Sequence, residues 1–296
     1  MAEPRISVVI PAYRARGTID AAIASVLGQT VPPHEVIVVD DGSPDDVGDH
    51  VERHHPSVRV IRQANQGCGA ARNTGAAAAT GDWLAFLDAD DAWLPGKLAR
   101  QLRELRGETV AVVACRAVGR TAQRHLPFPG FDDFWEANRI VVSSTLVRRD
   151  VFERAGGFWS RRACEDYHLW LRLTGSGWRV VNCAEELVVY APSEMSLSRQ
   201  IESFAAAEVA CLRDVAGRFA LPAGRLRQRL MACRLTHSRG AIHHRQMGAA
   251  RLLALASLMS GVSLPQLATI AAAFTPAPLL DARRRILRTG PAGVVS

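Results

Sequence analysis

The chain has 296 residues, 48% of them hydrophobic and 22% charged, enough apolar material for one large domain or a domain with an appendage, which excludes a disordered chain. Its formal charge of +7 is uneven: residues 199–296 carry 14 arginines against four acids, so the tail is +10 and the preceding part −3. Six scattered cysteines without a CxxC pair fit reduced thiols in a cytosolic protein and argue against a disulfide framework or zinc fingers.

The N-terminal stretch "MAEPRISVVIPAY" has Glu3 near its start and Pro11 ending a short apolar run, so it lacks the charged start and long core of a signal peptide. "ISVVI" (6–10) reads as a first strand. "TIDAAIASVLGQ" reads as a helix capped by Thr18, with Ile19, Ile23, Val26 and Leu27 on one face. "EVIVVDDGSPDD" repeats the unit: a β-branched run at 36–39, polar turn residues 40–43, then a short helix. "VRVI" (58–61), a helix around "CGAARNTGAAAAT" and the strand "WLAFL" continue it. Such alternation predicts an α/β domain, a Rossmann-like and mostly parallel sheet flanked by helices.

Beyond Asp91 the pattern loosens. "KLARQLREL" reads as a helix and "TVAVVAC" as a strand, and the Pro- and aromatic-rich "PFPGFDDFWEANRI" reads as a loop able to lie over a site. "VVSSTLVRRDVFERAGGF" reads as strand, turn and helix, stopped by Gly156 and Gly157. "CEDYHLWLRL" has a helical apolar pattern and "LVVYAP" closes the domain as a strand; from about 197 onward the signal is helical. Lys97 is the single lysine among 36 basic residues, which reads as coding bias.

In open α/β sheets ligands bind at the carboxyl ends of the strands. "PAY", "DDGS" and "DADD" all fall at such ends and would line one cleft. Asp91 alone reads equally well as a turn or cap residue. On an extended chain Asp88 and Asp90 point to one side with Ala89 opposite, and two carboxylates that close repel unless a cation sits near them. Oxygen-only ligands favour Mg²⁺ or Mn²⁺, which keeps positions open for water and phosphate oxygens. The stretch therefore reads as a metal–diphosphate site.

"SVVIPAY", "VIVVDDGSPDD", "NQGCGAARNTG", "GDWLAFLDADDAWLPGKL" and "CEDYHLWLRL", in this order, resemble the family 2 glycosyltransferases of GT-A fold, of the kind that builds bacterial surface polysaccharides. The resemblance covers about 5–195. It implies an inverting enzyme using a nucleotide-sugar donor (UDP-, dTDP- or GDP-sugar) and Mn²⁺ or Mg²⁺. It also implies a catalytic domain over 1–196, with a nucleotide-sugar half at about 1–115 and an acceptor half at about 116–196, followed by a basic helical extension over 197–296. By the resemblance, Pro11 and Tyr13 of "PAY" and Asp41 of "DDGS" hold the nucleoside, with Asp40 supporting the same turn. Arg72 lies near the base or diphosphate, Asp88 contacts the ribose or a metal-bound water, and Asp90 ligates the metal.

Sugar transfer needs a carboxylate to take the proton of the attacking acceptor hydroxyl. In the family the second residue of the "ED" pair does this, here Asp166, while Glu165 orients acceptor or loop; by themselves the two acids could simply complement a helix N-terminus. A metal that offsets charge on the leaving diphosphate removes the need for a general acid. The loop 127–138 and the segment 142–145 are expected to shape acceptor choice.

Other patterns carry less. "GCGAAR" has Arg72 where a dinucleotide fingerprint needs its third glycine. His237, His243 and His244 have no acidic or cysteine partner nearby in sequence and read as a polar helix face. The stretch 252–280 has no charge, but Gly261, Pro265, Pro276 and Pro278 interrupt it, so it does not read as a transmembrane span. Bracketed by arginines and "DARRRILR", it suits either an anionic membrane surface or a helical subdomain packed on the catalytic core, with homodimer contacts. The membrane reading makes the acceptor a lipid-linked saccharide at the inner face of the cytoplasmic membrane, with the protein cytoplasmic. No aromatic–basic interleaving supports nucleic-acid binding. A sugar nucleotidyltransferase would carry a Gly-rich loop after its first strand, and an Asp-nucleophile phosphatase a DxD there; neither is present. The non-enzymatic alternative is a catalytically inactive nucleotide-binding scaffold of a membrane glycan-assembly complex.

Overall fold

The computed structural model describes residues 4–105, 107–119, 125–190 and 200–275. The chain divides into two compact units, Met1–Glu194 and Met195–Ser296.

The first unit alternates strand and helix in its N-terminal half: β1 (Ile6–Ala12), α1 (Ile19–Leu27), β2 (Glu35–Asp40), α2 (Val47–His54), β3 (Arg59–Arg62), α3 (Cys68–Ala78) and β4 (Trp83–Phe86). Val and Ile of β1 and β2 are buried on both faces, as strands covered by helices on each side require. On α1 the predicted apolar face holds for Ile19, Ile23 and Val26, whereas Leu27, in the last turn, is 45% exposed. Helix α3 packs directly on β1: a Cβ on Gly75 would lie 2.4 Å from Val9 Cγ1, so only glycine allows this approach.

After β4 come β5 (Ala92–Trp93), α4 (Lys97–Leu102), β6 (Val110–Ala117), α5 (Phe131–Glu136), a single helical turn at Val142–Ser144, β7 (Leu146–Arg148), α6 (Arg149–Arg154), α7 (Glu165–Gly175) and β8 (Arg179–Val189). The expected loop at 127–138 thus contains a short helix. Gly156 and Gly157, both at positive φ, follow α6 as the sequence predicts.

The sheet runs β3-β2-β1-β4-β7-β6-β8-β5. It is parallel from β3 to β4 and between β6 and β8, and antiparallel where β7 meets β4 and β6 and where β5 meets β8. The α/β expectation holds, and the sheet is mixed because β7 and β5 enter it in the reverse direction. In the parallel half Ala12 stands opposite Asp40, and Leu87 donates its N–H to the Val9 carbonyl at 3.1 Å. The loops after β1, β2 and β4 therefore leave from one edge of the sheet.

The second unit contains α8 (Ile201–Arg218), α9 (Ala223–His243), α10 (Met247–Ser257) and α11 (Leu264–Phe274). A small core of Ile201, Ala205, Ala241, Ala249, Ala250, Leu253, Ala254 and Ala273 holds them. The reading of His237 as a partnerless polar-face residue is corrected here. Its Nε2 lies 2.7 Å from Glu208 Oε2 on the neighbouring helix, 29 residues away in sequence, and Cys233 lies beside the pair. Arg229 donates to the other Glu208 oxygen at 2.5 Å. Leu252, Leu255, Met259, Val262, Leu264 and Leu267 are exposed apolar residues. Among the described residues no helix is long and apolar enough to cross a membrane; "DARRRILR" lies outside the described residues.

Candidate active site

The first wall of the site is built by the ends of β1 and β2. Pro11 is buried inside β1 opposite Val39, whereas Tyr13, just past the strand, is 45% exposed with the Arg14 guanidinium 5.5 Å from its ring centre. Asp40 Oδ1 accepts from Ser43 N at 2.8 Å and so closes the "DDGS" turn. Ser43 Oγ in turn accepts from Arg14 N at 2.6 Å, which ties the two strand ends together. Asp41 is buried, and its carboxylate accepts from Gly67 N (2.7 Å), Gln63 Nε2 (2.8 Å) and Gln66 N (2.9 Å). This carboxylate holds the 63–67 loop across the end of the sheet.

Arg72 is the centre of the site. It lies on α3 with 3% exposure, which rules out a solvated helix face. Its Nη2 donates to Asp88 Oδ1 at 2.5 Å and its Nη1 to Glu165 Oε1 at 2.8 Å. One planar guanidinium thereby joins the loop after β4 to the first residue of α7, a fork that lysine could not reproduce. Cys68 Sγ also donates to Glu165 Oε1 at 2.9 Å, and burial pushes the Cys68 thiol up to about 12. Glu165 is itself buried, so its observed partners are Arg72 and Cys68. The helices approach closely because position 69 is glycine; a Cβ there would meet Glu165 Cγ at 3.1 Å.

The acidic stretch that follows β4 is a turn, not an extended chain: Asp91 N donates to Asp88 O at 3.0 Å. The alternation argument for Asp88 and Asp90 is corrected accordingly, although the two carboxylates still repel each other. Burial raises the Asp90 carboxyl above its ordinary value, and the Asp88 charge adds to the effect. Asp88 has Arg72 as counterion; among the described residues Asp90 has no ion pair. A partly buried carboxylate beside a second one, without its own cation, suits an oxygen ligand for a divalent metal.

Ser143 supports this turn and was missed by sequence reasoning. Its Oγ accepts from Asp88 N at 3.1 Å and donates to the buried Asp91 at 2.6 Å, and its carbonyl accepts from Trp93 Nε1 at 2.7 Å. Val142, Ser143, Ser144 and Thr145 are all buried. The expectation that 142–145 shapes acceptor choice is therefore corrected: the segment is buried, and its Ser143 supports the acidic turn. A serine 52 residues from Asp91 gives no local signal of this contact.

Asp166 occupies the second position of α7. Its Oδ2 accepts from Asn138 Nδ2 at 3.1 Å and its Oδ1 from Tyr167 N at 2.7 Å. Burial, reinforced by Glu165, raises its carboxyl to about 6, with Arg72, Asn138 and the Tyr167 N–H opposing. Tyr167 Oη donates to the Phe134 carbonyl at 2.7 Å and so fastens α5 to the helix that carries Asp166. Next to it, Trp159 stacks on His168 at 4.3 Å between centroids, and Arg162 reaches Asn65 Oδ1 at 3.0 Å, linking the 159–164 loop to the 63–67 loop.

A second group of potential ligands, Asp20, His50 and His55, lies at the α1–α2 contact. Both imidazoles share the Asp20 carboxylate at 2.7–2.9 Å, and His55, then His50, hold it below the usual carboxylate range against the opposing effect of burial. None of the residues of the candidate site takes part.

The model of the family described as glycosyl transferase family 2 matches residues 7–162. The chain is 30% identical over 220 residues to the uncharacterized glycosyltransferase EpsJ of Bacillus subtilis, covering 66% of this chain and 63% of the relative. It is also 30% identical over 211 residues to TuaG of the same organism, named for teichuronic acid biosynthesis, covering 66% and 82%. The chain spans less than two thirds of EpsJ. Among solved structures, the mannosyltransferase PcManGT from Pyrobaculum calidifontis, in complex with GDP-Man and Mn²⁺, is 22% identical with a TM-score of 0.65, over 97% of this chain and 81% of that one. TarS 1–349 of S. aureus, in complex with UDP-GlcNAc, is 14% identical with the same TM-score of 0.65, over 95% and 92%. These likenesses show a shared GT-A fold. With the family model covering more than half of the sequence, and TuaG matched over four fifths of its length, the chain belongs to glycosyl transferase family 2.

Proposed function

We propose that the protein transfers a sugar, with inversion, from a nucleotide-diphosphate sugar to an acceptor hydroxyl in the synthesis of a bacterial surface polysaccharide. The observation that carries this reading is the Arg72 bridge, which places the acidic turn after β4 and the Asp166 helix around one buried guanidinium. The acidic turn and the helix of the proposed base are thereby tied to one side chain. Solved GT-A neighbours hold GDP-Man with Mn²⁺ or UDP-GlcNAc, which supports the donor class.

In this reading Tyr13 lies against the nucleoside base, Pro11 and Asp40 shape the strand ends beneath it, and Asp41 presents the 63–67 loop to it. Asp88 meets the ribose or a metal-bound water, Arg72 sits behind the diphosphate, and Asp90 holds Mn²⁺ or Mg²⁺. When bound, the cation would offset charge on the departing diphosphate, so no protein acid is needed on that side. Asp166 takes the proton of the acceptor hydroxyl; a carboxyl near 6 is ionised at neutral pH and still basic enough to accept it. Glu165 orients the acceptor loop through Arg72. One base and direct displacement lead to inversion.

The exposed Leu252, Leu255, Met259, Val262, Leu264 and Leu267, in a unit rich in arginine, support peripheral contact with an anionic membrane and a lipid-linked acceptor at its cytoplasmic face. The test is calorimetric binding of UDP, dTDP and GDP, with and without Mn²⁺, to the wild type and to Asp90→Ala. Mn²⁺-dependent binding of one nucleotide that the variant loses is the expected result. Absence of binding by all three in every condition would overturn the reading.

A further inference from the structure

Asn138 lies two residues beyond α5 and touches Asp166. The amide is held from two sides. Tyr167 Oη pins the Phe134 carbonyl, and Arg139 Nε donates to the Asp133 carbonyl at 2.9 Å, closing the turn that carries Asn138. Its Nδ2 donates to Asp166 Oδ2 at 3.1 Å. Because an ionised carboxylate only accepts, the amide end that faces it is the NH₂. The other end, Oδ1, is buried with no hydrogen-bond partner among the described residues. Among the described residues the side-chain amide therefore makes one hydrogen bond, the one it gives to Asp166.

We propose that Asn138 is a positioning residue that fixes the rotamer of Asp166 and holds the carboxylate in one orientation for proton transfer. The inference rests on the reading of Asp166 as the base. The geometry gives it a direction. A donor on Oδ2 favours the charged form, as do Arg72 and the Tyr167 N–H, while burial and Glu165 oppose it. Without Asn138 the carboxylate loses its only side-chain hydrogen bond among those described and is held by the Tyr167 N–H on Oδ1 alone, leaving Oδ2 without that fixed partner.

The test is a ¹³C NMR titration of protein labelled at aspartate Cγ, with the Asp166 signal assigned by its loss in Asp166→Asn. In Asn138→Ala the Asp166 midpoint should move up by about one to two pH units, the size expected for one hydrogen bond to the charged form. Asn138→Asp should move it further up, because a like charge then faces it. Asn138→Ser keeps a donor on a shorter side chain; its midpoint should fall between wild type and alanine, and it serves if the alanine variant does not fold. An unchanged midpoint in the alanine or serine variant overturns the proposal.

A second reading separates this proposal from the assignment of the base. Slow transfer to water from whichever sugar nucleotide binds is followed against pH. If the acidic limb of turnover moves with the NMR midpoint, both stand. If the midpoint moves and the limb does not, Asp166 is not the base and the mechanistic reading fails. Should no nucleotide bind at all, the glycosyl-transfer reading fails while the titration still decides whether Asn138 controls Asp166.

Discussion

Arg72 and Glu165 are 93 residues apart in sequence and 2.8 Å apart in the structure, and the same guanidinium holds Asp88 at 2.5 Å. The pair is the strut between the half of the domain that carries the acidic turn and the helix that carries Asp166. Removing one partner of a buried pair leaves an uncompensated charge, so Arg72→Ala is expected to lower stability by about 3–5 kcal/mol. Arg72→Lys should recover only part of this, since one ammonium cannot span two carboxylates in fixed directions. Urea unfolding of the two variants, with Glu165→Gln in a double-mutant cycle, measures the coupling; additive effects would show that the strut does not exist.

Ser143 joins the backbone of Asp88 to the carboxylate of Asp91 through one hydroxyl. In Ser143→Ala the buried Asp91 carboxylate loses that donor, at a cost of about 1–3 kcal/mol. The acidic turn should loosen as a whole, so Mn²⁺-dependent nucleotide affinity is expected to fall by roughly tenfold although Ser143 touches no ligand. Calorimetry beside a thermal melt checks this: a stability loss with full nucleotide affinity would refute the link.

With its carboxyl raised to about 6, Asp166 is protonated in acid and ionised above neutrality. Turnover is therefore expected to rise with pH through about 6 and then level, and Asp166→Asn should lower it by about 10²–10⁴-fold while nucleotide binding persists. A pH–rate profile flat from 5 to 8 would remove Asp166 from the role.

Lys97, which looks incidental in the sequence, has its ammonium fully buried 3.9 Å from the centre of the Trp93 ring, with Gln101 Oε1 at 2.9 Å. Burial lowers it to about 8. Its folded value is below its unfolded one, so the unfolded chain binds more protons between the two, and stability should rise as pH increases from about 8 towards 10. Lys97→Met, which keeps the apolar stem over Trp93, should remove that rise and stabilise the protein at pH 7 by about 1–2 kcal/mol after the lost contacts with Gln101 and the ring. Denaturant midpoints at pH 7 and pH 9.5 for both proteins decide it; equal pH dependence in the two would refute the argument.

Local pattern carries the parts of this fold that depend on local physics. The β-branched runs at 6–10 and 36–39, alternating with helical periodicity, sufficed for α/β units whose polar turns lie at one sheet edge, because strand and helix periods are properties of neighbouring residues. The same reasoning assigned "DADD" to a strand end, yet it took the stretch as extended; one backbone bond, Asp91 N to Asp88 O, makes it a turn. Direction within the sheet was equally hidden, since an antiparallel β7 is three residues long and carries no periodicity of its own. Only tertiary structure gave His237 its acidic partner, set Ser143 behind the acidic turn, buried Lys97 over Trp93 and placed Asn138 on Asp166. Each of these is a contact between residues whose sequence separation says nothing of distance, and whose energetic weight comes from the water that packing excludes around them.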